Sequence, residues 1–170
     1  MNPKVVQTIV EMLQDRGYEI EESENIIGKK EKCLVKIYHC DSPKIGIKHI
    51  NEVIENIEQE RFNKGIFIYS GVLSSFAKHL LTDNKSFLQY FHEDELSFNI
   101  THHKYVPEHK ILPIETKKQI MNKYKISEKQ LPWISSSDPV IKYHGGCVGD
   151  LVRITRDNKD GLSVTYRLCV

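Results

Sequence analysis

The sequence predicts two consecutive units of mixed α and β structure that meet near residue 99. In the first unit, segments with apolar residues at helical spacing alternate with short β-rich runs, a pattern typical of α/β layers. In the second unit, the last twenty residues indicate two strands joined by a turn. The charge also changes, because residues 1–98 carry 12 lysines and arginines against 16 aspartates and glutamates, whereas residues 99–170 carry 12 against 7. We therefore predict two domains, 1–98 and 99–170.

The composition is that of an ordinary folded protein. Of its 170 residues, 39% are hydrophobic and 28% charged, which excludes wholesale disorder and a fibrous class. No run approaches the roughly 20 apolar residues of a membrane span, and the opening segment MNPKVVQTIVEMLQDRG mixes acidic residues into its apolar pattern. We therefore expect a protein of the cytosol or nucleus, without a membrane partner.

The cysteines predict neither a disulfide framework nor a zinc ribbon. Cys33, Cys40, Cys147 and Cys169 are scattered, and none forms a C-x-x-C pair. We expect reduced, structural thiols.

The first unit is predicted to begin with an amphipathic helix and to continue as alternating elements. Its predicted elements are a helix over 3–16 ended by Gly17, a strand over 33–38, a turn at Asp41-Ser42-Pro43 leading to a partner strand over 44–47, a helix over 49–61, a buried strand over 65–69, two short helices over 74–82 and 85–91, and a strand over 96–100. Ser74 is the predicted N-cap of the first short helix.

The second unit carries clear start signals for its helices. A helix is predicted over 115–124, and Ser127 and Gln130 have the spacing of a capping box. Asp138-Pro139 predicts another helix start, with Gly145 and Gly146 at its end. A C-terminal hairpin follows, with its turn at 157–161. The unit is thus predicted as a small two-layer α/β module.

Clustered histidines and one lysine are the candidate chemical groups. His102, His103 and His109 could bind a metal, but no H-E-x-x-H segment or cysteine pair completes a site, so we predict structural or interface histidines. A divalent-metal nuclease would need an acid beside Lys36 on its strand face, where the sequence has Leu34. We therefore expect no catalytic residues, metal or cofactor. The two alternative functions are such a nuclease and a free-standing nucleic-acid-binding module.

A basic helical surface is a further candidate for binding. It is either a solvated face or a docking surface for an acidic partner, and it comprises Lys117, Lys118, Lys123, Lys125 and Lys129. The net charge of only +1 argues against an autonomous nucleic-acid binder, because such proteins neutralise many phosphates.

Several segments of the chain together resemble one protein family. The segments NITHHKYVPEHKIL, QLPWISSSDPVIKY, GDLVRITRDN and TYRLCV are similar to the fifth-subunit family of eukaryotic RNA polymerases I, II and III, and the module they form is similar to a small subunit of the archaeal polymerase. In the first unit, EMLQDRGYEI, FNKGIFIY and SSFAKHL resemble the eukaryotic jaw domain of that family. The resemblance covers nearly the whole chain.

The resemblance implies a non-catalytic role in transcription in the nucleus. It implies that residues 1–98 form a restriction-endonuclease-like α/β jaw domain without nuclease activity, placed beside downstream DNA. It further implies that residues 99–170 form an assembly module, which docks on the largest subunit near shared subunit six. The implied partners are therefore these two subunits and downstream DNA within the complex.

The resemblance also implies which residues lie at these contacts. The implied assembly-interface residues are His102, His103, Val106, Pro107, His109, Leu131, Pro132, Asp138, Pro139, Tyr143, Arg153, Tyr166 and Arg167. The DNA-proximal residues are Ser74, Ser75 and Lys78, although the segment Ser74-Ser75-Phe76-Ala77 lacks the proline that the family has there. The segment 144–149 also departs from the family, which usually has a basic pair before the glycine.

Overall fold

The structure, a computed structural model, describes residues 1–22, 26–158 and 161–170. The chain divides into two compact units, Met1–Phe98 and Asn99–Val170. Both units combine helices with sheets, so the predicted mixed α/β class is confirmed. No helix in these residues is long and apolar enough to cross a membrane.

The first unit is built on a mixed sheet with the strand order β1-β2-β3-β5-β7. Its helices are α1 Pro3–Asp15, α2 Ile47–Gln59 and α3 Ser75–Asp83. Its strands are β1 Glu19–Glu22, β2 Ile26–Lys30, β3 Cys33–Cys40, β4 Lys44–Ile45, β5 Lys64–Tyr69, β6 Val72–Leu73 and β7 Leu88–His92. β3, β5 and β7 are parallel, whereas β1, β2 and β3 form an antiparallel meander.

Apolar side chains buried on both faces of β5 stabilise the sheet. Phe67 and Tyr69 pack with Ile50 of α2 and Leu81 of α3, while Ile68, which points to the other face, is fully buried. A continuous apolar strand of this kind is typical of a parallel strand covered on both sides.

The end of α1 shows why Gly17 follows the helix. Its φ of +79° is a left-handed conformation that glycine adopts without a Cβ penalty. The Gly17 N–H donates to the Gln14 carbonyl at 2.8 Å, and the Tyr18 N–H donates to the Leu13 carbonyl at 2.9 Å. These two bonds form a Schellman motif, which confirms the predicted end of the helix.

Three predictions in the first unit were wrong. The segment 44–47 does not pair with β3, because β4 pairs in parallel with β6. Gly71, just before β6, allows the two backbones to approach, since a Cβ at this position would lie 2.0 Å from the Ser42 carbonyl oxygen. The predicted helix over 85–91 is largely strand β7, which pairs with β5. The predicted strand over 96–100 is replaced by 3₁₀ turns over Glu93–Leu96 and Ile100–His102. The hairpin β1–β2 was not predicted.

The second unit contains a sheet with the strand order β8-β10-β11-β9. Its strands are β8 Glu108–Leu112, β9 Trp133–Ile134, β10 Leu151–Asn158 and β11 Gly161–Cys169. Its helices are α4 Ile114–Tyr124 and α5 Pro139–His144, with a 3₁₀ turn at Glu128–Gln130. The predicted hairpin is confirmed as β10 and β11; residues 159 and 160 of its predicted turn lie outside the described residues.

Helices cover this sheet on both faces, so the second unit has three layers where two were predicted. On one face Leu151 and Leu168 pack with Ile120 of α4. On the other face Val152 and Cys169 pack with Ile141 of α5. The buried stretch of β10 therefore lies between two small apolar clusters.

Candidate interaction surfaces

A buried hydrogen bond joins the start of the second unit to α5. Asn99 accepts from the Thr101 backbone N–H at 2.9 Å and from the Thr101 hydroxyl at 2.6 Å through its Oδ1. Its Nδ2 donates to Tyr143 Oη at 2.9 Å, and both side chains are buried, with 7% and 2% of their surface exposed. Tyr143 therefore supports the module from inside. Asn99, which the sequence analysis missed, holds the segment before the histidines.

The histidines predicted at the interface differ in exposure. His102 and His103 are exposed, and the His103 ring lies 5.7 Å from the ring of Tyr105, a residue with 83% of its surface exposed. His109 is half-buried, and its Nδ1 donates to the Pro107 carbonyl oxygen at 2.7 Å. Val106 and Pro107 are half-buried as well. Among the described residues, no three His, Cys, Asp or Glu side chains are grouped as a metal site needs.

Two further pairs of predicted residues shape the local backbone. Asp138 caps α5 by accepting from the Val140 N–H at 2.9 Å, and Pro139 follows at the first helical position, where no donor is needed. Leu131 is buried, whereas Pro132 is exposed and its carbonyl accepts from the Leu168 N–H at 2.9 Å. Leu131 and Asp138 therefore serve folding, and their neighbouring prolines lie at the surface.

The hairpin residues lie on different faces of the sheet. Arg153 and Tyr166 are cross-strand partners on the α4 face, where the Tyr166 ring lies 6.5 Å from that of Tyr124. The Nε of Arg153 is buried without a hydrogen-bond partner within the described part of the chain. Arg167 lies on the opposite face, and its Nη1 donates to the Trp133 carbonyl oxygen at 3.0 Å.

One of the five lysines of the predicted basic surface, Lys117, is bound within the unit and does not face solvent. Lys117 donates to the Gly149 carbonyl at 2.7 Å and pairs with Glu128 at 2.6 Å, and its side chain is only 12% exposed. It therefore fastens α4 to the following loops instead of facing a partner. The remaining four lysines are exposed: Lys118, Lys123, Lys125 and Lys129.

The three DNA-proximal candidates lie at the start of α3. Ser74 caps the helix by accepting from the Ala77 N–H at 3.2 Å, as predicted. Ser75 and Lys78 are exposed, and Phe76 beside them has 74% of its surface exposed. The hydroxyl of Ser74 is engaged by the helix, so Ser75 and Lys78 are the members that face solvent.

Lys36 has an acidic partner that the sequence analysis missed. Its Nζ donates to Glu60 Oε2 at 2.5 Å, and its side chain is 13% exposed. The ammonium also lies 5.3 Å from the ring of Tyr38 and 5.6 Å from that of Phe62. Since the charge of Lys36 is matched within the unit, this lysine is not a free cation for a substrate phosphate.

A polar cleft of about 340 Å³ lies between β3 and α2. Its lining includes Lys36, Tyr38, His39, His49, Glu52 and Asn56. Burial, and secondarily the charge of Glu60, raises the pKa of Tyr38 to about 12. The Tyr38 hydroxyl and His39 Nε2 are themselves covered and, within the described residues, make no hydrogen bond. As neighbours on one strand the two side chains point to opposite faces of the sheet, and His39 Nε2 lies 3.9 Å from Glu93 Oε2.

Comparison with known proteins identifies relatives along the whole chain. The family model described as RNA polymerase Rpb5, C-terminal domain, matches residues 98–169. A subunit of DNA-directed RNA polymerases I, II, and III from Dictyostelium discoideum is 32% identical over 189 residues, covering 98% of this chain and 96% of the relative. The corresponding subunits of Caenorhabditis briggsae and Caenorhabditis elegans are 30% and 29% identical, each covering 98% of this chain and 94% of the relative.

Proposed function

The chain belongs to the family of RNA polymerase subunits that carry the Rpb5 C-terminal domain, and on that premise we propose that it is a non-catalytic subunit shared by DNA-directed RNA polymerases I, II and III. The observation that carries the proposal is the extent of the likeness. The relatives named for all three polymerases match 98% of this chain, so both units are included. The protein would accordingly act in transcription in the nucleus.

Residues 99–170 are the proposed assembly module, with the largest subunit and shared subunit six as partners. The exposed candidates available for direct contact are His102, His103, Pro132 and Pro139. Arg153, Tyr166 and Arg167 of the hairpin are half-buried, as anchors at the centre of an interface often are. Tyr143, Leu131 and Asp138 support that surface from within the module.

Residues 1–98 are the proposed jaw domain beside downstream DNA. In this unit the first turn of α3 offers Ser75 and Lys78 as groups that can hydrogen-bond phosphates. Because one serine and one lysine neutralise little charge, we expect this contact to matter only within the complex. Leu34, in the place of an acid beside Lys36 on the strand face, supports a structural role over a nuclease.

Rapid degradation of the chain in living cells tests the assembly role. We expect the fraction of the largest polymerase subunit that sediments as assembled enzyme to fall as the chain disappears. Re-expression of the intact chain should restore it. Assembly that continues unchanged after the chain is lost would contradict the proposal.

A further inference from the structure

Strand β11 is paired along only part of its outer edge. β10 pairs with it from Gly161 to Leu168, but β9 on the other side pairs only with Leu168 and Cys169. The outer edge from 161 to 167 therefore has no neighbouring strand within the described residues.

The hydrogen bonds of β11 identify which backbone groups face outward. The Cys169 N–H donates inward to the Asp150 carbonyl, and the Leu168 N–H donates outward to the Pro132 carbonyl, each at 2.9 Å. Because successive residues of a strand direct these groups to opposite sides, Leu162, Val164 and Tyr166 share the outward direction of Leu168. In the described part of the chain, no strand pairs with these outward groups.

The side chains on this edge are apolar and exposed. Leu162 has 75% of its surface exposed and Val164 43%, and both lie on the same face as Tyr166. Tyr124, which is 54% exposed, extends the patch beside Tyr166. An exposed apolar strand edge is a template for pairing with another chain.

The segment Leu162–Tyr166 of this edge also lacks the charges that commonly protect strand edges. The outer strand β1 carries Glu19 and Glu21, and the outer strand β8 carries Glu108 and Lys110. By contrast, the segment Leu162–Tyr166 contains no charged residue. Charges on an outer strand discourage edge-to-edge pairing, so their absence from this stretch leaves it open to a partner strand.

We propose that an extended segment of another polymerase subunit adds to this edge as a further strand, in line with β9. The segment would place apolar side chains at alternate positions against Leu162, Val164 and Tyr166. Acidic residues would flank it, because residues 99–170 have 12 basic against 7 acidic side chains. The inference rests on the proposed function, since it takes the partner from the polymerase.

Hydrogen exchange with residue resolution tests the proposal on the full chain. The amides of Leu162, Val164 and Tyr166 should exchange quickly in the free chain and at least about tenfold more slowly in the purified polymerase, because a partner strand would accept from them. The inward amides of Val152 and Arg167, within the paired part of the hairpin, should be protected in both states. Equal exchange of the outward amides in both states would overturn the inference.

A matched pair of substitutions tests the same edge. Val164→Lys puts a charge on it and should reduce the recovery of the largest subunit at least about tenfold, equal to roughly 1.4 kcal/mol of binding. Val148→Lys, at a valine that is 72% exposed but lies outside β11, should leave recovery unchanged. The urea midpoints of both free variants verify that they fold, and Val164→Thr, which keeps a β-branched side chain, should retain binding.

The outcomes separate this inference from the proposed function. Co-purification of polymerase with an unprotected edge overturns the inference and leaves the proposed function standing. Failure to recover any polymerase subunit with the intact chain contradicts the proposed function itself. Protection that appears in the free chain and grows with its concentration would assign the edge to a second copy, and would also overturn the inference.

Discussion

Asn99 donates from Nδ2 to the hydroxyl of Tyr143 over 2.9 Å, and both side chains are buried. The bond joins two segments 44 residues apart, the entry of the second unit and its helix α5. A buried polar group needs a hydrogen-bond partner, and this bond provides one for each of the two residues. The pair thus holds the segment just before the exposed His102 and His103 against helix α5.

Removing this bond should destabilise the protein. We expect Asn99→Ala to lower the free energy of unfolding by about 2 kcal/mol, because it leaves the buried Tyr143 hydroxyl without this donor and removes the contacts to Thr101. Tyr143→Phe should cost about 1 kcal/mol. Urea denaturation measures both. If the double variant loses the full sum of the two single losses, the pair is not coupled as the structure indicates.

The cap of α5 offers a second stability test. Asp138→Ala should lower the free energy of unfolding by about 1 kcal/mol, because the Val140 N–H loses its acceptor. Asp94→Ala is the control, at a carboxylate whose side chain is 92% exposed. Equal urea midpoints for the two variants would show that the cap does not stabilise the unit.

Tyr38 should tolerate the loss of its hydroxyl. Because that hydroxyl is covered and makes no hydrogen bond within the described residues, Tyr38→Phe should leave the protein equally stable or up to about 1 kcal/mol more stable at pH 7. Tyr105→Phe, at an exposed ring, is the matched control. A loss above about 1 kcal/mol would indicate a missing partner for the hydroxyl.

The same residue predicts a dependence on alkaline pH. Burial raises the pKa of Tyr38 from 10.0 to about 12, so the folded state holds this proton more tightly than the unfolded state. The preference of the folded state for the protonated tyrosine is therefore fully present below pH 10, and the stability linked to it is lost as the pH rises to about 12. Denaturation across that range should show a shallower decline for Tyr38→Phe than for the unchanged protein. Parallel declines would contradict the assignment.

Lys36 should show no nuclease chemistry. We expect the pure protein to leave DNA intact in magnesium or manganese, because Leu34 occupies the position on the strand face beside Lys36 where such a nuclease needs an acid. Loss of the pair in Lys36→Ala should change stability by about 1 kcal/mol or less, since the Glu60 side chain is 44% exposed. DNA cleavage that disappears in Lys36→Ala would instead establish the nuclease alternative.

The structure shows which features a single sequence can predict. The Schellman end at Gly17 and the cap at Asp138 depend on neighbouring residues, and both were predicted correctly. Strand β7 was missed because Phe87, Leu88 and Phe91 also fit the apolar spacing of a helix. This segment forms a strand because it pairs with β5, and such tertiary contacts override the local preference of a segment for helix or strand.

The polar contacts of the sites were harder to predict for the same reason. Lys36 and Glu60 are 24 residues apart, and Asn99 and Tyr143 are 44 apart. A lone Asn or Glu in a sequence is most often a solvated residue, so no local pattern distinguishes these two. The family likeness, by contrast, follows from several segments in a fixed order, and the relatives confirm it over the whole chain.

The most direct test of the account is to purify the chain, tagged at its native abundance, under gentle conditions and to identify the co-purifying proteins by mass spectrometry. Membership in the shared-subunit family predicts that the largest subunits of RNA polymerases I, II and III are recovered together with it. An untagged strain is the control. Recovery of the intact chain without any largest polymerase subunit would contradict the account.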